Sequence, residues 1–280
     1  TMAVLVLQHP ELAQLNWQAW SALFNPSTQN HPSVWRIQVA DDFALSTEQS
    51  QWLDAQSIDA AILPDVPFSD LGLIISEMDS TLITIECIDE IAAGNGLKDQ
   101  VAAITERSMA GELDFAESLR ERVALLKGVS TADLERVYAQ RLQLNPGAAA
   151  LVQACQAAGL KTLLVSGGFT FFAHRVRQSL GLDFVRANVL DVGSDGVLTG
   201  RMVDQPWGDI CDGAEKRRTL LEVASLLGIA PSACIAMGDG ANDLPMMGVA
   251  GLSVAYHAKP AVRAQAHIAI TQGGLDRLLE

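Results

Sequence analysis

Residues 71–81 read L-G-L-I-I-S-E-M-D-S-T, so a short apolar run leads directly into two acidic residues. The same arrangement recurs at residues 161–168, K-T-L-L-V-S-G-G, and at residues 233–243, A-C-I-A-M-G-D-G-A-N-D. Short apolar runs that end in small and polar residues are typical of a parallel α/β sheet, which presents ligands beyond the carboxyl ends of its strands. We therefore predict an α/β fold whose functional residues lie at that edge.

The segments between these runs complete the predicted core. Three stretches are helix candidates: residues 146–159, 171–180 and 216–227. Two shorter apolar runs, residues 251–255 and 267–270, are candidates for further strands. Residues 88–142 show no strand-like alternation but carry apolar residues at helical spacing, such as Leu97, Val101 and Ile104. We predict a helical cap at residues 88–142, inserted into a core of residues 71–87 and 143–280, where it can act as a lid.

The first seventy residues carry an α/β pattern of their own. Strand-like runs lie at residues 4–8, 34–39 and 60–63, and helix-like stretches lie at residues 11–23 and from Thr47. Two nearby prolines favour an extended linker at residues 64–67. We predict a small α/β module over residues 1–70, with a role in packing or in self-association as a homo-oligomer.

The composition narrows the classes of function. The chain has 280 residues, 49% of them hydrophobic, which is enough to bury a sizeable core. Its 19 basic and 33 acidic residues give a net charge of −14, which disfavours nucleic acid or an anionic lipid surface as a partner. Its apolar runs are far shorter than the roughly 20 residues of a membrane span. Because the four cysteines are scattered, with no pair at zinc-ligand or redox spacing, we expect a cytoplasmic protein.

Four acidic residues follow two of the predicted strands. Glu77 and Asp79 follow the first, and Asp239 and Asp243 flank Asn242 in a glycine-rich turn after another. Acidic loop residues are usually solvated, so either pair alone is weak evidence for a site. If the turns converge, the carboxylates repel one another unless a cation intervenes, and hard oxygen ligands suit Mg²⁺. We therefore expect Mg²⁺ as a cofactor.

Two further features suit an anionic ligand. Ser166, Gly167 and Gly168 supply a hydroxyl and exposed backbone N–H groups just before a predicted helix. Lys216 opens another predicted helix and supplies a point charge. An ordinary turn and a solvated surface lysine are the alternatives, but both features occur at strand ends together with the acidic pairs. Carboxylates, a metal, anion-binding amides and one cation together are typical of a phosphoryl-transfer site.

The chain resembles the haloacid dehalogenase (HAD) superfamily in four sequence motifs. These are E-M-D-S-T at 77–81, S-G-G-F at 166–169, Lys216, and G-D-G-A-N-D at 238–243. Two more strings resemble the phosphoserine phosphatases of that superfamily: E-C-I-D-E-I-A at 86–92 and L-R-E-R-V at 119–123. The resemblance implies a HAD-like, Rossmann-like core that hydrolyses the small molecule phosphoserine to serine and phosphate with Mg²⁺, as a step of serine biosynthesis.

The resemblance also implies a role for each motif residue. Glu77 occupies the position of the family's nucleophile, an aspartate that forms an aspartyl-phosphate, and Asp79 that of the general acid and base. Mg²⁺ would lie between Glu77, the backbone carbonyl of Asp79 and Asp239. Asn242 and Asp243 would support that shell. The phosphoryl oxygens would be held by the Ser166 hydroxyl, the Gly167 amide and Lys216.

Recognition of the amino acid is assigned by the resemblance to residues near and within the cap. Phosphoserine carries a carboxylate and an ammonium besides its phosphate, so its pocket needs a further cation and a further anion. The resemblance assigns these to Arg122 and Glu86, and the apolar wall of the pocket to Met109 and Phe115. Ordinary surface charges and ordinary packing are the alternatives for these four side chains.

Glu77 departs from the family pattern. Glutamate keeps the charge but adds a methylene, which displaces the carboxylate by about one C–C bond length on a more flexible stem. Because an error of about 1 Å can cost roughly a hundredfold in rate, we predict retained binding with weakened or abolished turnover. Two explanations stay open: a deliberate substitution, which the intact remaining motifs favour, and a natural protein that binds without turnover.

Three functions are therefore compatible with the sequence. The first is a Mg²⁺-dependent phosphoserine phosphatase, and the second is a non-catalytic phosphoserine sensor. The third is a HAD phosphatase for another small phosphorylated amino acid or alcohol. The sequence has neither a P-loop motif nor an H-E-x-x-H pair, which disfavours a P-loop nucleotidase and a zinc hydrolase.

Overall fold

Three β-sheets organise the part of the chain that the structure describes. The structure, a computed structural model, describes residues 2–24, 31–206, 208 and 210–280. The sheets contain three, six and two strands. Within the described ranges no helix is both long and apolar enough to cross a membrane.

The N-terminal sheet is antiparallel and carries one helix. Its elements are β1 (Met2–Gln8), β2 (Val34–Ala40), α1 (Thr47–Ala55) and β3 (Asp59–Pro64). β1 is the central strand of the three. The α1 helix starts where the sequence pattern predicted it, because the Ser46 hydroxyl accepts a hydrogen bond from the Gln49 amide at 3.1 Å.

The predicted helix at residues 11–23 is wrong. Only two short 3-10 turns form there, Leu12–Gln14 and Gln18–Trp20. The Trp17 indole N–H donates to the Leu12 carbonyl at 2.8 Å, which takes an acceptor away from a helical ladder. The same ring packs against Trp35, with centroids 4.6 Å apart. Aromatic packing onto the sheet therefore outweighs the local helical pattern.

The rest of the chain contains the remaining strands and helices. In chain order they are β4 (Leu73–Ser76), α2 (Cys87–Gly94), α3 (Lys98–Met109), α4 (Phe115–Leu125), α5 (Thr131–Gln140), α6 (Ala148–Ala157), β5 (Lys161–Phe169), α7 (Thr170–Leu180), β6 (Phe184–Asn188), β7 (Leu190–Val192), β8 (Leu198–Met202), α8 (Gly213–Leu226), β9 (Cys234–Gly238), α9 (Leu244–Met247), β10 (Leu252–Tyr256), α10 (Pro260–Arg263) and β11 (Ile268–Ile270).

Six of these strands form a parallel sheet with the order β11-β10-β9-β4-β5-β6. Successive residues of β4 point to opposite faces. Ile74 belongs to one apolar core together with Leu151 of α6, whereas Leu73 and Ile75 belong to another with Leu220 of α8. Helices therefore cover both faces, and the predicted parallel α/β core is confirmed.

Four helices, α2 to α5, follow β4 and form a helical insert, residues 87–140. The hairpin β7–β8, which the sequence pattern did not predict, connects this insert to the rest of the chain. The Leu198 amide donates to the Val129 carbonyl at 2.8 Å, and the Gly128 amide donates to the Leu198 carbonyl at 2.9 Å. Backbone hydrogen bonds thus hold one side of the insert.

The N-terminal sheet packs against the β11 end of the parallel sheet. The Asp59 carboxylate accepts hydrogen bonds from the Thr271 amide at 2.8 Å and the Thr271 hydroxyl at 2.6 Å. The Gln8 amide group donates to the Arg277 carbonyl at 2.8 Å. These contacts place the N-terminal sheet beside the core edge that lies three strands from β4.

The glycine before α6 is expected to be required for stability. Gly147 has a φ of +79°, and a Cβ there would clash with Asp276 Oδ1 and lie 2.5 Å from the Asp276 amide nitrogen. We expect Gly147→Ala to lower the free energy of unfolding by about 2–4 kcal/mol, as the sum of left-handed strain and a displaced neighbour. Urea unfolding measures this loss.

Gly159, after the other end of α6, provides the matched control. It has a φ of +89°, and a Cβ at this position would have no neighbour within 4 Å. Gly159→Ala should therefore cost only the left-handed strain, about 1–2 kcal/mol. Equal losses for the two variants would contradict a role for the Asp276 contact.

Candidate active site

One cavity of about 150 Å³ lies at the carboxyl ends of β9, β4 and β5, which are adjacent in the sheet. The helical insert contributes the other wall. Most of the site residues predicted from the sequence line this cavity, namely Glu77, Asp79, Glu86, Phe115, Arg122, Ser166, Gly167, Asp239 and Asn242. The fold therefore gathers motifs that are far apart in the sequence.

Glu77 follows β4 directly, and both of its carboxylate oxygens have protein donors. Oε1 accepts from the Met78 amide at 2.7 Å, and Oε2 accepts from the Lys216 ammonium. Lys216 is fully buried and also donates to Asp243 Oδ1 at 2.7 Å. Lys216 and Asp243 thus lie behind Glu77, and the lysine holds the carboxylate of Glu77 in an ion pair.

The turn after Glu77 places Asp79. One of its oxygens, Oδ2, accepts from the Cys87 amide at 3.1 Å. The other, Oδ1, is buried and has no hydrogen-bond partner among the described residues. A buried polar atom without a partner costs free energy, and such atoms often face a ligand or an ion.

Two residues outside the predicted site hold the same turn in place. The Thr81 hydroxyl donates to Asp239 Oδ1 at 2.8 Å, which links the end of β4 to the end of β9. The Asn145 side-chain amide donates to the carbonyls of Thr81 and Ile83, at 2.7 and 3.0 Å. Thr81 lies within the quoted motif, but no local pattern marks Asn145, which is remote in sequence.

Burial and like charges shape the titration of the acidic side chains. Burial, with a contribution from the neighbouring Asp243, raises the pKa of Asp239 to about 7. Burial is also the main reason that the pKa values of Asp79 and Glu86 are raised, and the negative charge of Asp79 raises the pKa of Glu86 further. The cavity therefore concentrates negative charge that lacks full compensation.

The donor set fits a hard divalent cation. Glu77, Asp79 and Asp239 line the same cavity, and Asp79 Oδ1 lacks a partner among the described residues. Within the described ranges no three His, Cys, Asp or Glu side chains form a metal cluster by themselves. A cation here would therefore also need backbone and ligand oxygens, which agrees with a set of oxygen donors that suits Mg²⁺.

The segment Ser166–Gly168 lines the cavity beside the acidic residues. The Ser166 hydroxyl oxygen accepts from the Gly168 amide at 2.9 Å, and Ser166 is fully buried. A Cβ at Gly167 would lie 2.6 Å from Phe115 Cζ. Glycine at this position therefore lets Phe115 of the insert approach the loop closely.

Arg122 and Glu86 bring opposite charges to the cavity wall. Burial lowers the pKa of Arg122, which lies close to Asp89 and Glu86. Its Nε donates to the Ser118 carbonyl at 3.3 Å. Glu86 accepts from the Ser80 hydroxyl at 2.6 Å. One cation and one anion are thus available besides the groups at the strand ends.

The structure does not bring Met109 to the cavity. Met109 is the last residue of α3, and it is 70% exposed. In α3 the described buried residue is Val101, and the apolar residues that line the cavity include Phe115, Ile88 and Leu119 but not Met109. Met109 is therefore not part of the cavity wall in this structure, and its contact with a substrate stays a prediction.

Comparison with known proteins agrees with this geometry. The family model for haloacid dehalogenase-like hydrolases matches residues 74–248. The chain is 69% identical over 218 residues to the phosphoserine phosphatase of a Polaromonas species, and the match covers 78% of this chain and 92% of that protein.

Two solved structures resemble the whole chain. A HAD family hydrolase of Salmonella enterica serovar Typhi has a TM-score of 0.84 and 32% identity, with 99% of this chain and 97% of that chain covered. A probable phosphoserine phosphatase of Vibrio cholerae has a TM-score of 0.80 and 38% identity, with 99% and 85% covered. Both matches include the N-terminal sheet, for which the sequence pattern indicated no relative. Motifs, fold and relatives agree, and the chain belongs to the haloacid dehalogenase-like hydrolase family.

Proposed function

We propose that the chain is a phosphoserine phosphatase, which hydrolyses O-phospho-L-serine to L-serine and phosphate with Mg²⁺ in serine biosynthesis. The proposal rests on the set of residues that line one cavity. It combines the Ser166–Gly168 loop, the carboxylates of Glu77 and Asp79, and the opposite charges of Arg122 and Glu86. The names of the similar relatives support the same substrate.

In the proposed reaction, a carboxylate oxygen at position 77 attacks the phosphorus and forms an acyl-phosphate bond. The bond between phosphorus and the serine oxygen breaks, and Asp79 gives a proton to that oxygen. In the second half, Asp79 takes a proton from water, whose oxygen attacks the phosphorus. Phosphate leaves, and the carboxylate is restored. The unpartnered Asp79 Oδ1 supports this role, since it is free to bind a substrate oxygen or water.

The remaining site residues would bind and neutralise. Ser166, the Gly167 amide and Lys216 would hold phosphoryl oxygens. The Glu77 carboxylate, the Asp79 carbonyl and Asp239 would hold Mg²⁺, with support from Asn242 and Asp243. When bound, the metal would supply positive charge to the phosphoryl oxygens and to the crowded carboxylates.

The helical side of the cavity would select the amino acid. We propose that Arg122 binds the substrate carboxylate and Glu86 its ammonium, and that Phe115 forms part of the apolar wall. Residues 88–142 would act as the cap that closes over the bound substrate. The partial burial of Arg122 and its place on the cavity wall support this assignment.

We further propose that Glu77 limits turnover. Both of its oxygens accept a hydrogen bond from the protein, one from the Met78 amide and the other from Lys216, and these bonds stabilise the carboxylate against attack on phosphorus. The same arrangement favours the second candidate, a protein that binds phosphoserine without hydrolysing it. Restoring the family residue separates the two candidates.

Glu77→Asp is expected to raise the turnover of phosphoserine by about a hundredfold, because the shorter side chain brings the carboxylate back by about one C–C bond. Rates of phosphate release in the presence of Mg²⁺ measure the gain. Glu77→Gln is the matched control, since an amide oxygen does not form the acyl-phosphate. If aspartate brings no gain over glutamate, position 77 is not the nucleophile.

We expect Arg122→Ala, made in the Glu77→Asp background, to lower kcat/KM for phosphoserine by about 10- to 100-fold. A loss of this size corresponds to the free energy of one hydrogen bond to a charged group. Phosphoethanolamine, which has no carboxylate, should lose little. Arg120→Ala, on the same helix but exposed and not lining the cavity, is the control. Equal losses on both substrates would reject the carboxylate contact.

Magnesium should raise the melting temperature of the chain, because a ligand that binds only the folded state stabilises it. The shift should be abolished or strongly reduced in Asp239→Asn and retained in Asp99→Asn, an exposed residue of α3. Differential scanning calorimetry with and without MgCl₂ measures the shift. A full shift in Asp239→Asn would show that the ion binds elsewhere.

A further inference from the structure

The pairing of β5 with β6 is interrupted at the anion-binding loop. Val165 pairs with Arg186, and the next pair is Phe169 with Asn188. Three residues of β5, Ser166 to Gly168, therefore face the single residue Ala187 of β6. This surplus forms a bulge, which we call the β5 bulge (residues 166–168). A bulge leaves backbone groups without ladder partners, so other groups must satisfy them.

The Asn188 side chain is a hydrogen-bond partner for the backbone of the β5 bulge. Its Nδ2 donates to the Gly167 carbonyl at 2.9 Å, and its Oδ1 accepts from the Cys211 amide at 3.0 Å. Asn188 is only 4% exposed, so water does not compete for these bonds. Because one end of the amide faces an acceptor and the other faces a donor, only one orientation of the amide fits both.

The Gly167–Gly168 peptide links this amide to Ser166. In a trans peptide the C=O and the N–H point in opposite directions. The carbonyl of Gly167 accepts from Asn188, while the amide of Gly168 donates to the Ser166 hydroxyl oxygen at 2.9 Å. Fixing the carbonyl therefore fixes the amide. Since the Ser166 oxygen already accepts, its hydrogen is left to donate into the cavity.

The other hydrogen bond of Asn188 reaches the segment that carries Lys216. Cys211 precedes α8, whose first turn is capped by Asp212 through a 2.9 Å hydrogen bond from the Glu215 amide. Lys216 lies in that first turn. One buried side chain thus joins the loop with the anion-binding amide to the start of the helix with the lysine.

We propose that Asn188 is a positioning residue for the phosphoryl group, acting through the conformation of the β5 bulge and the start of α8. The proposal rests on the proposed function, in which Ser166, the Gly167 amide and Lys216 hold phosphoryl oxygens. Asn188 does not line the cavity, so its effect on a ligand there is exerted through these neighbours.

Asn188→Asp tests the proposal, because it keeps the size and the acceptor but replaces the donor to Gly167 with a repelling oxygen. In the presence of Mg²⁺, isothermal titration calorimetry should show that the Asn188→Asp variant binds inorganic phosphate at least about tenfold more weakly than the unchanged chain does. In the Glu77→Asp background, kcat/KM should fall by about 10- to 100-fold. The loss should be equal for phosphoserine and phosphoethanolamine, since the effect acts on the phosphate.

Thr162→Val is the matched control at the other end of the same strand pair. The buried Thr162 hydroxyl donates to the Asp183 carboxylate at 3.0 Å and accepts from the Asp183 amide at 3.0 Å. Its loss should lower the melting temperature while phosphate affinity stays unchanged. Asn188→Ser provides a second, smaller variant if Asn188→Asp does not fold.

Phosphate affinity and folding of the variants together test the role of Asn188. Phosphate affinity that is unchanged in the folded Asn188 variants overturns the proposal. If both Asn188 variants fail to fold while Thr162→Val folds, Asn188 serves the fold as a whole, and the proposal is also overturned. If Glu77→Asp is inactive but phosphate binding depends on Asn188, the positioning role stands and the proposed catalytic function fails. If the original chain binds no phosphate, both fail.

Discussion

A lysine ammonium that is fully buried must be neutralised by nearby anions, because it has lost its hydration. Lys216 meets this requirement with the carboxylates of Glu77 and Asp243. Those two residues follow β4 and β9, and Lys216 lies in the first turn of α8. The ion pairs therefore bring together the ends of two neighbouring strands and one helix. The arrangement of the whole cavity depends on this cluster of three charges.

Charge elsewhere in the cavity is less well balanced. Asp79, Asp239 and Glu86 line the cavity and have raised pKa values, and Arg122 lines it beside them as a cation. A dianionic phosphate ester would add to this negative charge. Binding such a ligand is favourable only if a cation enters with it, which gives an electrostatic reason for a metal in addition to the motif resemblance.

The sequence predicted those features that have a local signature. Apolar runs that end in polar residues indicated the parallel sheet. They also predicted that Glu77 and Asp239 lie at one edge of it. Three features had no such signature. The helix predicted at residues 11–23 is replaced by turns because Trp17 packs onto a sheet formed by distant strands. The contacts of Asn188 join segments that are remote in sequence, and the exposure of Met109 depends on where α3 ends.

In the proposed function, the residue at position 77 would link stability to catalysis. An attacking carboxylate oxygen must be only partly compensated, because strong hydrogen bonds to its charged form stabilise the ground state more than the transition state. The longer glutamate reaches Lys216 and is held by it. In the proposed function, the lysine would then be less available to a phosphoryl oxygen, and the carboxylate would be less available to phosphorus. Under that proposal, Lys216 and the carboxylate at position 77, which would each act on the substrate, bind each other within the protein instead.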